Sequence, residues 1–415
     1  MGAIRLGYCS SGLTNLEFLD AVDEIAEAGY AGIEISFHRR QFNPFELGDD
    51  DLAAVRKRLQ NARVKAACVA TASHFFEPSR PHEPSLLALD LAARKRRIDL
   101  IKRGVHCARR LGVSLVTFGS GFLRDEHLGN PAVNPRELLL DGIRECLREI
   151  HDDEDITLLI EPEPGMLIET LGQGLSLVRE IDSPRFQLHL DICHAYCSER
   201  NYIGALAEAA PVTRYLHISD ARQGYNLKIA KDAEDLNFDL DLAGELVYFP
   251  DTADYLLVDR DHPLYFCDAR PDRARHRRID ALLSQAGVQK APGYVDYPGL
   301  PAGASPLDEE IFTYLISVPG LSHDVLQRAR PIIAYLRGAG NPPRIGRMVA
   351  NTLTGIAHFH EIPGEGTLDF AASFEALTRN GFSGYGSVEL YHHVDSWKKA
   401  LTDSRGHLAR FTGGR

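Results

Sequence analysis

The feature that most constrains this chain is a regular alternation of short β-rich runs with longer stretches of helical periodicity. Strands are expected over 4–10, 31–36, 64–70, 115–120, 157–163, 186–194, 213–220 and 384–391. Between the first two, LEFLDAVDEIAEAG (16–29) spaces its apolar residues by three and four and closes on a Gly, which predicts an amphipathic helix. The same pattern recurs over 51–61, 93–111, 136–150, 174–181, 368–380 and 395–411. Alternating βα units form parallel sheets, and eight of them predict a closed (β/α)8 TIM barrel. An open doubly wound sheet is the alternative. It would carry a Gly-rich turn after the first strand, but Ser10-Ser11-Gly12-Leu13 offers a single Gly.

The alternation breaks once. About 135 residues separate the seventh strand from the next clear helix, far beyond the usual βα loop of roughly 2–6 residues. This stretch is not of low complexity. It contains strand-like runs at 246–249, 255–258 and 264–267, a basic helix over 273–286, a Pro/Gly-rich stretch over 291–306, and helical patterns over 308–317 and 323–336. The expected organisation is therefore a barrel made of 1–221 and 358–415, with 222–357 inserted between strand 7 and helix 7. A barrel's active site lies at the C-terminal ends of its strands. An insertion leaving from such an end is placed to act as a lid or as an oligomerisation element of a homo-oligomer.

Bulk properties exclude several classes. A formal net charge of −12 argues against a nucleic-acid partner. No apolar run reaches the ~18 residues of a membrane span. The seven cysteines are odd in number and scattered, unlike a disulfide framework. With no signal-peptide pattern in MGAIRL, a cytoplasmic protein is expected. Cys193, His194 and Cys197 form C-H-x-x-C without a second ligand pair nearby, so both cysteines are taken as packing residues. The basic run RPDRARHRR (270–278) is read as a solvated helix face.

The chemistry sits at strand ends. The fifth strand reads LLIEPEP with Glu161, the sixth FQLHLDICH with Asp191 and His194, the seventh RYLHISD with His217, and the eighth GYGSVELYHH with Glu389. A carboxylate in a barrel is costly to bury unless it is paired or bound to a cation. Three of them converging on one rim would raise one another's pKa values, a conflict that a divalent cation removes. Carboxylate oxygens with one imidazole nitrogen suit Mn2+, Mg2+, Co2+ or Fe2+ better than a sulfur-rich zinc site does.

These stretches resemble the xylose isomerase-like TIM-barrel family, which includes sugar phosphate isomerases and epimerases, inosose-converting enzymes and the AP endonuclease 2-type barrels. The resemblance rests on GYAGIEI (29–35), IEPEP (160–164), LDICH (190–194), LHISD (216–220), PGEGTLDF (363–370) and GYGSVEL (384–390). It covers about residues 1–220 and 358–410, with the insertion as the departure. It implies one divalent metal ion held by Glu161, Asp191, His217 and Glu389, Mn2+ taken first and Mg2+, Co2+, Fe2+ or Zn2+ as alternatives. It also implies that Glu161 and Glu389 are the acid–base pair of a sugar, keto sugar or cyclitol isomerase or epimerase, working by proton transfer through a metal-stabilised enediolate. His194 is expected to bind a substrate oxygen, joined by Arg222 just past the seventh strand and by Glu34 and His74 after the second and third. His38, Glu163, His360, Glu365 and His392 lie near expected rim loops and are read as structural.

The same residues serve a lyase or dehydratase acting on a keto sugar or inosose equally well, and that is the first alternative. A non-catalytic binding or scaffold barrel is the second. A phosphodiesterase of the endonuclease IV kind would need more histidines and a DNA-binding rim, and the acidic charge argues against it.

Overall fold

The computed structural model describes residues 4–71, 75–76, 82–122, 127, 132–164, 166–199, 201–223, 225–229, 244–249, 254–259, 264–267 and 356–412; of 222–359 and 392 it describes the backbone alone. Eight parallel strands close a barrel: β1 (Ile4–Cys9), β2 (Gly32–Ser36), β3 (Lys65–Ala70), β4 (Leu115–Gly119), β5 (Thr157–Glu161), β6 (Phe186–Asp191), β7 (Thr213–Ile218) and β14 (Gly384–Val388), with β14 pairing both β1 and β7. The expected eight-stranded barrel is thus the observed one, with strand ends trimmed by one to three residues.

Helices follow the strands where periodicity placed them: α1 (Phe18–Glu27), α2 (Asp49–Ala62), α3 (Leu91–Leu111), α4 (Pro135–Leu147) and α5 (Leu171–Ile181), then α8 (Phe370–Arg379) and α9 (Trp397–Leu408) near the end. Each buries one stripe. In α1 that stripe is Phe18, Ala21, Val22 and Ile25, and burying each large member contributes about 1.5–3 kcal/mol. The ends are set by side chains. Asp90 accepts from the Ala93 N–H at the start of α3. Thr170 and Gln173 form a reciprocal capping box on α5. Gly112 stops α3 at φ +72°, a left-handed position open to Gly without strain.

Two helices lie where none was expected: α6 (Ile192–Ser198) and α7 (Tyr202–Ala209). The sixth strand does not run on to His194. It ends at Asp191, whose side chain accepts from the N–H groups of Cys193 and His194 and turns the chain into α6. Cys193 and Cys197 are buried on that helix as free thiols. The expected 213–220 strand also divides: β7 stops at Ile218, and Asp220 opens a separate short strand, β8 (Asp220–Gln223). The reason is Asp220's carboxylate. It accepts from the backbone N–H groups of Gly364 (2.8 Å), Gly366 (3.0 Å) and Leu368 (3.0 Å). Gly364 has φ +99°, and a Cβ there would run into the His407 ring, so the PGEGTLDF turn needs glycine at this point.

By contact density the chain separates into two compact units, one of Met1–Glu77, His82–Asp220 and His360–Arg415, the other of Pro78–Pro81 and Ala221–Phe359. In the second, β9 (Tyr225–Ile229), β10 (Gly244–Phe249), β11 (Asp254–Asp259) and β12 (Leu264–Cys267) form a four-stranded sheet in the order 12-11-10-9, and β13 (Ile356–Glu361) pairs with β8. The strand-like runs of the insertion are therefore strands. Its expected helices over 273–286, 308–317 and 323–336, and its Pro/Gly-rich stretch, lie outside the described residues.

Candidate metal centre

Strand register brings the strand-end residues to one level. Asp191 pairs with His217 between β6 and β7. His217 pairs with Ser387 between β7 and β14. Glu389, two residues beyond Ser387, therefore projects from the same face. Glu161 is the last residue of β5. Three carboxylates consequently surround one imidazole nitrogen. His217 Nδ1 lies 3.1 Å from Glu161 Oε1, 3.3 Å from Glu389 Oε2 and 3.9 Å from Asp191 Oδ2. All four residues assigned as ligands by resemblance are brought together.

Electrostatics follows from this crowding. Burial acts to lower the His217 pKa, but the carboxylates of Glu34 and Glu389 hold it well above the usual imidazole range. Burial acts to raise Glu161, but the imidazoles of His189 and His217 keep it well below the usual carboxylate range. Glu389 is likewise held low, against its burial, by His217 and His360. Each glutamate thus has its own imidazole besides His217. His189 Nδ1 is 3.4 Å from Glu161 Oε2, and His360 Nδ1 is 3.2 Å from Glu389 Oε2.

The donor set fits a divalent cation. Asp191 Oδ1 is engaged by two backbone N–H groups, but Oδ2 is buried with no hydrogen-bond partner among the described residues. An unsatisfied buried acceptor costs about 1–3 kcal/mol, more when charged; a cation placed among Asp191, His217 and Glu389, whose ligand atoms lie within 4.8 Å of one another, removes that cost. Three carboxylates and an imidazole suit a hard or borderline ion. Asp191 also groups with His194 and His360 at the same spacing.

The expected substrate residues fare differently. His194 is on α6, not on a strand. It is buried, with Nδ1 3.1 Å from the Pro162 carbonyl and Nε2 3.2 Å from His360 Nε2. Glu34, expected to bind substrate, stands in the β2 ladder between Cys9 and Cys68. It is fully buried, with Oε2 2.7 Å from His217 Nε2 and Oε1 accepting from the Ser36 hydroxyl at 3.1 Å. Arg222 is in β8, but its side chain lies outside the described residues, as do His74 and the side chain of His392. Of the rim residues read as structural, Glu365 pairs with Lys399 at the surface. Glu163 lies 3.6 Å from His82, and His38 Nδ1 accepts from the Gln41 N–H.

Of the residues around the cluster, His189 was not singled out and His360 was read as structural. His189 carried a signal, since it stands two residues before Asp191 on one strand and so shares its face. It also bonds Thr117 Oγ1 at 2.8 Å. His360 carried a weaker one. Its φ of +48° is a left-handed value rarely adopted by a residue with a side chain, and no sequence pattern announces it.

A closed parallel barrel with a carboxylate–histidine cluster at the C-terminal rim defines the class to which this protein belongs. More narrowly, the chain is a member of the xylose isomerase-like TIM-barrel family, whose model matches residues 22–245. No curated protein sequence matches it. Among solved structures it is similar to a xylose isomerase domain protein from Planctomyces limnophilus (TM-score 0.54, 11% identity, covering 99% of each chain). It is also similar to the IOLI protein with a bound zinc atom (TM-score 0.53, 14% identity, 99% of this chain and 98% of that one). A third is D-psicose 3-epimerase in the presence of D-fructose (TM-score 0.52, 12% identity, 99% of this chain and 100% of that one). At these identities the likeness is one of fold. Among the described residues no helix is long and apolar enough to cross a membrane.

Proposed function

We propose that this chain is a divalent-metal-dependent isomerase or epimerase of a sugar, keto sugar or cyclitol. The observation that carries the reading is the convergence of Glu161, Asp191 and Glu389 on His217 Nδ1, with a buried Asp191 oxygen that has no hydrogen-bond partner among the described residues. Glu161, Asp191, His217 and Glu389 would hold the ion, Mn2+ being taken first. Once bound, such an ion polarises the oxygens of a hydroxy-carbonyl substrate.

The chain's own residues would move the protons. Glu161 and Glu389 are both held in the ionised form, 3.1 and 3.3 Å from His217 Nδ1, so one can accept a proton from carbon while the other returns one. His189 orients the free oxygen of Glu161, and His360 orients Glu389. His194, whose Nδ1–H donates to the Pro162 carbonyl, directs Nε2 toward Asp191 and His360, where a substrate hydroxyl could replace the imidazole contact. The ketohexose class follows the name of the D-psicose 3-epimerase that shares the fold. The insertion over 222–357 is proposed as a lid or oligomerisation element, with Arg222 at its start contributing to substrate binding.

A dehydratase is the second reading. What favours it is His360, whose pKa is raised, against its burial, by Glu389, making it a proton donor for a departing hydroxyl. Incubating the Mn2+-loaded protein in D2O with a panel of ketoses, aldoses and inososes separates the readings. Deuterium entering one carbon with the formula otherwise retained supports the isomerase, and loss of water supports the dehydratase. A protein that binds no divalent metal and alters no member of the panel would leave only the binding role.

A further inference from the structure

Glu34 is a carboxylate placed where an apolar side chain would pack. It lies between Cys9 and Cys68 in the barrel ladder and is fully buried. Burying a carboxylate is costly, so its partners should show what it does. Oε2 stands 2.7 Å from His217 Nε2, and Oε1 is fixed by the Ser36 hydroxyl. A carboxylate only accepts hydrogen bonds, so Nε2 must carry the proton. The other nitrogen of the same ring faces the three carboxylates of the metal centre. A neutral imidazole has one N–H and one lone pair. Nδ1 itself stands 3.1 Å from Glu161 Oε1, and an ion placed among the carboxylates would take the place of its proton; with Nε2–H held by Glu34, the lone pair that would meet the ion is on Nδ1.

We propose that Glu34 is a positioning residue of the metal centre, holding His217 in the tautomer and orientation that present Nδ1 to the ion. The inference rests on the reading of Glu161, Asp191, His217 and Glu389 as metal ligands. A competing arrangement puts an ion behind the ring, among Cys9, Glu34 and His217. Geometry disfavours it. Two ligand atoms each about 2.0–2.2 Å from one ion in tetrahedral geometry stand more than 3 Å apart, whereas 2.7 Å is a hydrogen-bond length. Partners of this kind on a ligating imidazole set metal affinity by about 10–100-fold.

The test uses the full chain, stripped with chelator and titrated with Mn2+ by calorimetry, as wild type and as Glu34→Gln. The amide keeps an acceptor for Nε2–H but loses the charge. It should weaken Mn2+ binding about 10–100-fold, while the metal-free variant unfolds near the wild-type temperature. Because the variant could fail to fold, a second measurement uses the wild type alone: 15N histidine spectra of the Zn2+-loaded protein, with His217 assigned by its loss in His217→Gln. The expected result is a protonated Nε2 and a metal-bound Nδ1. Wild-type protein that binds no Mn2+ overturns the metal-centre reading and this inference together. Wild type that binds, with Glu34→Gln binding equally, overturns the inference alone. So does a wild-type spectrum showing Nδ1 protonated or Nε2 bound to the ion.

Discussion

Replacing Asp220 with Ala removes the acceptor for three backbone N–H groups at once, those of Gly364, Gly366 and Leu368. Hydrogen bonds to a charged partner contribute about 1.5–3 kcal/mol each. These three share two oxygens, so simple addition overstates the sum. Asp220 is buried, so water replaces the lost acceptor poorly. A loss of about 3–5 kcal/mol follows, a large fraction of the roughly 5–15 kcal/mol that stabilises a typical domain. Asp220→Asn should lose less, about 2–3 kcal/mol, because it keeps one acceptor oxygen and sets an amide N–H2 against a donor. Urea unfolding followed by tryptophan fluorescence is the assay. Trp397 is the chain's one tryptophan and opens α9 of the barrel unit, so the signal reports on the barrel. A loss below about 1 kcal/mol in the Ala variant, the size of an ordinary surface change, would refute the reasoning.

Three further outcomes are expected. Glu161→Gln and Glu389→Gln should each lower turnover by at least about 100-fold with the circular dichroism spectrum retained; wild-type rates in either would remove them from the acid–base pair. Glu154, lowered from 4.5 to about 2 by the Arg109 guanidinium, contributes stability that is complete above the ordinary carboxylate range and is lost as pH falls toward 2. Glu154→Gln should therefore flatten the fall in stability between pH 4.5 and 2, and an unchanged acid limb would count against the pair. Replacing 222–357 by a short linker should leave a folded barrel with weakened substrate affinity or an altered oligomeric state. Wild-type values of both would reduce the insertion to decoration.

The fold was legible because the βα period is written in six of the eight units, and the four strand-end residues because each closes an apolar run. What escaped had local causes. Helix α6 follows β6 with no intervening loop, and LDIC is as apolar as the strand before it, so only the doubly engaged Asp191 marks the boundary. Helix α7 spans Tyr202–Ala209 and has a single sequence signal, the Asn201 cap on the Gly204 N–H. Glu34 was visible as a carboxylate at a strand end, but its partner His217 stands 183 residues away in the chain. His360 depends on a backbone conformation and on partners from α6 and β14, which are distant in sequence.

Asp191 divides its labour between two oxygens: Oδ1 opens α6, and Oδ2, with no hydrogen-bond partner among the described residues, faces the imidazoles of His194 and His217 at the candidate metal position. Whatever occupies that position draws on the same carboxylate that starts the helix carrying His194. An ion bound at the proposed position would therefore act on the turn that carries His194 through a single residue.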